Sequence, residues 1–193
     1  MKKQGRKAFA DISLRPMRLS DRDRIFAILS DPSVRKPFAL FHEKSFSREA
    51  VTGWCRIAQA CNRESPGPDQ FYVIKKGRRI IGYFGTGPES DKPAHTGRWE
   101  VGYFLDPRFR GQGIMPAVLS EFVTKARRSG LVQEFYGAVR PGNHASARVL
   151  EKAGFLRVGV DKAWTPCVFH QDGRAEPCRP PWQPMQVFAL KLG

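Results

Sequence analysis

No stretch of this sequence approaches the roughly 18 consecutive apolar residues that a membrane-spanning helix needs, so nothing in it reads as a transmembrane segment. The first residues, Met1-Lys-Lys-Gln-Gly-Arg-Lys7, are basic, but no apolar run follows them. No secretory leader is therefore expected, and a cytoplasmic location is. Cysteine is also scarce: Cys55, Cys61, Cys167 and Cys178 are the only four, and their spacings fit no recognised metal or redox motif. A metal held by Cys167, His170 and Cys178 would rest on a weak C-x-x-H pattern. Reduced, structural thiols are the simpler reading, and no metal is expected. Acidic residues are few, with 18 Asp and Glu against 33 Lys and Arg, a net charge of +15. Such a field draws in anions, whether RNA, ribosomes or acidic peptides, and repels a polycationic substrate. A merely solvated surface would look the same. No arginine-rich tract interleaved with aromatics gives local support to direct nucleic-acid recognition.

What is present suffices for one domain. A chain of 193 residues, 41% hydrophobic, can bury a sizeable core. Residues 1–10 read as a basic, poorly ordered tail, and residues 11–193 as the domain. Residues 12–17 alternate like a strand that Pro16 confines to an edge. Ser20 is expected to cap a helix whose apolar face is Ile25, Ile28 and Leu29, with Asp21 and Asp23 at its positive end and Asp31-Pro32 as its stop. Residues 33–46 look irregular and apolar. Ser47 can cap a second helix over 48–62, with Val51, Trp54, Cys55 and Ala58 on one face. Segments 71–75 and 79–85 read as a hairpin around Lys76-Gly77. Residues 65–68 and 86–97 read as loops, and 135–140 and 156–164 as strands. The five prolines within 165–184 argue against regular structure there, and 186–190 reads as a closing strand.

The informative stretch is 99–155. Trp99-Glu-Val-Gly-Tyr-Phe-Leu105 is β-rich, and Ile114, Ala117, Val118, Phe122 and Ala126 fall at helical spacing. Between them lies Arg108-Phe-Arg-Gly-Gln-Gly113. A strand, a glycine turn and a helix start make an anion cradle, because first-turn N–H groups lack carbonyl partners and the helix dipole is positive there. Gly111 and Gly113 allow the tight turn. The string is neither G-x-G-x-x-G, since the third position is Pro116, nor a P-loop. It resembles motif A of the GNAT superfamily of N-acetyltransferases. Asn143-His-Ala-Ser146-Ala-Arg-Val-Leu150-Glu-Lys-Ala-Gly154-Phe155 is similar to a segment of its RimJ/RimL-like, ribosomal-protein-acetylating branch.

The resemblance implies a single α/β (α+β) domain with a mixed, mostly antiparallel sheet flanked by helices, and acetyl-CoA as cosubstrate. Backbone N–H groups across Arg110, Gly111, Gln112, Gly113, Ile114 and Met115 would take its pyrophosphate, with Arg108 and Arg110 adding charge. Asn143 would touch the CoA arm. The strands near 98–105 and 134–140 would part, leaving an N–H near Tyr103, Phe104 or Leu105 for the thioester oxygen. Glu100 is the candidate base. It shares a strand face with Gly102 and Phe104, while Trp99, Val101, Tyr103 and Leu105 take the other. A Glu at a strand end that merely reaches water or an arginine is the plainer alternative. Many members carry a proton-donating tyrosine where this chain has Leu150, so Ser146, one turn earlier, would stand in at the sulfur. An ordinary first-turn serine bonded to backbone is the alternative. His144 reads as a surface residue. The acceptor implied is a protein N-terminal amine, with possible ribosome association. A small-molecule amine such as an amino acid or antibiotic is the first rival; a binding module without turnover is the second. A closed pocket built by 33–62 and 165–184 would favour the small molecule, and an open groove the peptide. Oligomeric state stays open.

Overall fold

A computed structural model of the chain describes residues 9, 11–38, 40–41, 43–64, 70–88, 97–130, 132–164, 167–177 and 183–192. Its strands are β1 (Ile12–Pro16), β2 (Gln70–Lys76), β3 (Arg79–Pro88), β4 (Arg98–Leu105), β5 (Glu134–Val139), β6 (Leu156–Trp164), β7 (Cys167–Phe169), β8 (Ala175–Pro177) and β9 (Gln183–Lys191). Its helices are α1 (Arg22–Leu29), α2 (Pro32–Phe38), α3 (Arg48–Glu64), α4 (Ile114–Ser129) and α5 (His144–Lys152). Seven strands form one sheet in the order β1-β2-β3-β4-β5-β9-β6, and β7 and β8 pair separately. Every pairing in the large sheet is antiparallel except β4 with β5. The expected mixed α/β architecture is therefore what the chain adopts.

The sheet is covered on both faces, which makes β4 apolar on both sides. One face, through Phe84, Trp99, Val101 and Leu105, packs on α4 and on Leu150 of α5. The other, through Val73, Tyr83 and Phe104, packs on α1, α2 and α3. Helix α3 buries Val51, Trp54, Cys55 and Ala58 as its spacing implied. Ser47 caps it, its hydroxyl accepting from the Ala50 N–H at 3.1 Å, a bond of about 1 kcal/mol to the helix.

Several expectations are corrected. Ser20 does not cap α1: it lies in a 3-10 turn, Leu19–Asp21, and Asp21 stands at the cap position. The Asp21 carboxylate is taken by Arg15 and by the Arg18 N–H, and it makes no side-chain cap bond to α1. Residues 32–38 are helical, because Pro32 at a first helical position lacks only an N–H that would be unpaired anyway. The β2–β3 turn is centred on Gly77 and Arg78, since Lys76 pairs Arg79. Strand β3 runs on through Pro88, and residues 89–96 lie outside the described chain, as do 65–69 and, apart from Phe9, the tail. The proline-rich segment contains the β7–β8 hairpin, with Val168 opposite Glu176. It lies on α3, where a Cβ on Gly53 would stand 1.8 Å from the His170 carbonyl oxygen. Among the described residues no helix is long and apolar enough to cross a membrane.

Candidate active site

The β4–β5 ladder holds only where Arg98, Trp99 and Glu100 face Glu134, Phe135 and Tyr136. Strand β4 continues to Leu105 while still paired to β3, so its β5-facing edge is open beyond Glu100. The Asp106 N–H donates across to the Ile81 carbonyl at 2.8 Å. Backbone groups alternate sides along a strand, so the N–H groups of Tyr103 and Leu105 turn toward the open side.

Beyond β4 the chain makes a 3-10 turn, Pro107–Phe109, capped by Asp106. The Asp106 carboxylate, 3% exposed, accepts from the Arg108 N–H (3.1 Å) and from its Nε and Nη2 (3.0 and 2.6 Å), and from Arg24 Nη2 at 2.5 Å. Arg108, then Arg24 and the Arg108 N–H, hold its carboxyl well below the usual range against the opposing effect of burial. Arg108 therefore braces the turn and does not line the adjacent cavity. Gln112, on the surface, donates its side-chain amide to the Arg108 carbonyl at 3.2 Å. The sequence reading passed over Asp106, although Asp-Pro at a turn start is a capping signal.

Gly111 and Gly113 take φ of +74° and +75°. The Arg110 N–H is used by the Pro107 carbonyl, so it drops out of the expected set. Those of Gly111, Gln112, Gly113, Ile114 and Met115 meet no acceptor among the described residues. Gly111, Gly113, Ile114 and Met115 line a cavity of about 300 Å³, bordered by Tyr103, Phe104 and Leu105 on one side and Asn143 and Ser146 on the other. Arg110 reaches across it to the Ser33 carbonyl and hydroxyl at 3.0 and 3.2 Å. Two cations the sequence reading missed, Arg148 and Lys152, border it from α5. They stand four residues apart on one helix face, a spacing visible in the sequence. A long apolar and polar channel with bare N–H groups at one end and cations around it suits a nucleotide thioester.

A second cavity, of about 460 Å³, lies on the α3 side of the sheet and contains Glu100. The two share Pro37, Phe38, Tyr103, Asn143 and Ser146, and so meet there. Glu100 accepts a hydrogen bond from the Tyr136 hydroxyl at 3.3 Å. Gly102 leaves room beside it, its nearest neighbour for an added Cβ being Phe38 at 3.8 Å. Asn143 caps α5, accepting from the Ser146 N–H at 3.2 Å and donating to the Ser146 hydroxyl at 3.1 Å. The Tyr103 hydroxyl donates to the Ser146 carbonyl at 3.2 Å, and burial pushes that phenol above its usual range. Leu150 is buried against Gly137, and His144 is exposed. Among the described residues no three His, Cys, Asp or Glu side chains gather as a metal site; Cys178 and the Cys167 side chain lie outside them.

Residues 11–156 match the family model described as "Acetyltransferase (GNAT) domain". A curated relative, the probable N-acetyltransferase YjcK of Bacillus subtilis (strain 168), is 40% identical over 60 residues, 31% of this chain. The chain spans about a third of the length of that relative (33%). A Salmonella typhimurium acetyltransferase that modifies the N-terminal serine of the 50S subunit protein L7/L12 superposes with a TM-score of 0.74 at 18% identity, covering 95% of this chain and 96% of its own. The microcin C7 self-immunity acetyltransferase MccE, solved with acetyl-CoA and AMP, gives 0.72 at 15% identity, covering 96% and 94%. These likenesses show the fold. The parted strands, the glycine turn and a family match over most of its length together place this chain in the GNAT acetyltransferase family.

Proposed function

We propose that this protein transfers the acetyl group of acetyl-CoA directly to a primary amine, with no acyl-enzyme. The observation that carries the reading is the end of the β4–β5 ladder at Glu100 and Tyr136, beside a turn of acceptor-free N–H groups. Acetyl-CoA, when bound, supplies the acetyl group as an activated thioester. The N–H groups of Gly111 to Met115, with Arg110, Arg148 and Lys152, hold its phosphates. Asn143 borders its arm, and the N–H groups of Tyr103 and Leu105 donate to the acyl oxygen. Glu100 takes the proton from the acceptor ammonium, directly or through a water. The Ser146 hydroxyl accepts from Asn143, which leaves its own O–H free to donate a hydrogen bond to the departing sulfur. Holding two substrates in line where the cavities meet supplies a large part of the acceleration.

A protein N-terminal amine is one acceptor class, supported by the likeness to the Salmonella enzyme. A small-molecule amine is the other, and a specific observation favours it. The Glu100 cavity is bordered by α2 and α3 residues and by Phe169 and Ala175 of the β7–β8 hairpin, the two segments whose approach would suit a compact acceptor. A CoA-release assay over terminal peptides, amino acids, polyamines, aminoglycosides and simple amines tests the reading. Release with at least one amine supports it. Tight acetyl-CoA binding with no release on any amine would mark a binding module instead.

A further inference from the structure

We infer that Arg110 is also a positioning residue for the acceptor: it ties α2, the wall shared by both cavities, to the glycine turn, so that seating the cofactor phosphates sets the acceptor side. The inference rests on the acetyl-transfer reading above. A guanidinium is a flat fork with five N–H donors. Arg110 uses three of them: Nε donates to the Leu105 carbonyl at 3.4 Å, Nη1 to the Ser33 hydroxyl at 3.2 Å and Nη2 to the Ser33 carbonyl at 3.0 Å. Two donors remain, and Arg110 borders the first cavity. One side chain can therefore hold the end of β4, the start of α2 and a phosphate at once.

The sequence of α2 prepares it for this tie. Pro37 has no N–H, so the Ser33 carbonyl, four residues back, lacks the donor that an ordinary helix would supply. Arg110 Nη2 takes that carbonyl. Asp31 completes the helix start, its Oδ1 accepting from the Ser33 N–H at 2.8 Å and its carbonyl from the Val34 and Arg35 N–H groups at 3.0 Å each. Val34, 2% exposed, fixes the inner face among α1 and α3 side chains. About 7.5 Å along the axis from Ser33 stand Pro37 and Phe38, which border both cavities. Phe38 packs on rings of the second cavity, its centroid 6.1 Å from Trp54 and 5.7 Å from Tyr83, and lies 4.9 Å from Phe104. A displacement of α2 at Ser33 is therefore passed to Phe38, because close-packed side chains transmit strain. Two ligands that favour the same placement of α2 strengthen each other's binding by an equal factor. Bonds at an exposed rim are individually modest, so a coupling of about fivefold, the low end of the usual range, is expected.

Hydrogen exchange of the full chain, read on peptides spanning α2, tests the tie with 3′-phospho-ADP, the nucleotide half of CoA without its arm. At saturation, set by calorimetry, this probe is expected to slow α2 exchange about fivefold in the parent. In Arg110→Lys, which keeps the charge but not the fork, the slowing should fall below about twofold. Ser33→Ala, which removes one bond and leaves Arg110 in place, should lie between them. At saturating acetyl-CoA, the KM of the best amine of the release panel should rise about fivefold in Arg110→Lys, with kcat within about twofold. A probe that binds without slowing α2, slowing that survives both substitutions, or failure of the probe to bind overturns the tie. So does an amine KM unchanged by Arg110→Lys. If no amine releases CoA, acetyl transfer itself falls, and the exchange result alone sustains or overturns the tie.

Discussion

Glu100 and Tyr136 are the last facing pair of the two parallel strands, and the Tyr136 hydroxyl donates to the Glu100 carboxylate across that step at 3.3 Å. The carboxylate is thus fixed at the point where the strands part and the second cavity begins. Glu100→Gln keeps the shape and the bond while removing the base. It is expected to lower kcat by about 10²–10⁴-fold with acetyl-CoA affinity within twofold, read by steady-state kinetics and calorimetry. Undiminished kcat would remove Glu100 from the chemistry.

Asp106 ties α1, through Arg24, to the turn that leads into Gly111 and Gly113. Its carboxyl is depressed in the fold by Arg108 first and Arg24 next. A carboxyl depressed on folding stabilises the native state above its unfolded pKa of about 3.9, and that contribution fades as the pH falls through the lower folded value. Asp106→Asn should therefore cost about 1–3 kcal/mol at pH 7. The gap to the parent should narrow between pH 4 and pH 2 in urea titrations. An equal gap at both ends of that window would show that the pairing contributes little.

Gly111 has open space around an added Cβ, yet its φ is +74°. Any cost of Gly111→Ala is thus backbone strain, about 1–2 kcal/mol for a left-handed residue with a side chain. Relaxation of the turn to relieve it would misaim the free N–H groups. Acetyl-CoA should bind about tenfold more weakly, the equivalent of that strain, with a modest drop in melting temperature. Unaltered affinity in calorimetry would show that this turn does not hold the phosphates.

In an exposed helix, Gly→Ala stabilises by about 0.5–1 kcal/mol. At Gly53 the sign should reverse, because the new methyl would stand 1.8 Å from the His170 carbonyl oxygen. The substitution pushes the β7–β8 hairpin off α3 and is expected to cost about 1–3 kcal/mol. Acceptor KM should rise while acetyl-CoA affinity holds. A more stable Gly53→Ala protein would mean the hairpin does not seat on α3.

Local patterning carried much of this protein. The faces of α1 and α3, the two faces of β4, and the strand–turn–helix around Gly111 and Gly113 were all legible, because helical and strand periodicities mark buried faces and glycine marks left-handed turns. Interactions between distant segments were not legible. Arg108 was read as a phosphate ligand from its place beside the glycines; its pairing with Asp106, two residues back, and the tie of that same carboxylate to Arg24 of another helix were not foreseen. Proline counts concealed the β7–β8 hairpin, since pairing outweighs the cost of prolines placed at strand ends.

The residue order alone decided most of the strands, the helices α1, α3 and α4 and the glycine turn after β4, because each follows from spacing along one segment, while the sheet that joins them came from the family resemblance. Only folding decided where the β4–β5 ladder stops, that Arg148 and Lys152 border the cavity beside the glycine turn, and that Glu100 stands among aromatic side chains in the second cavity. Those facts depend on the angle and depth at which separate elements meet, which no local period encodes.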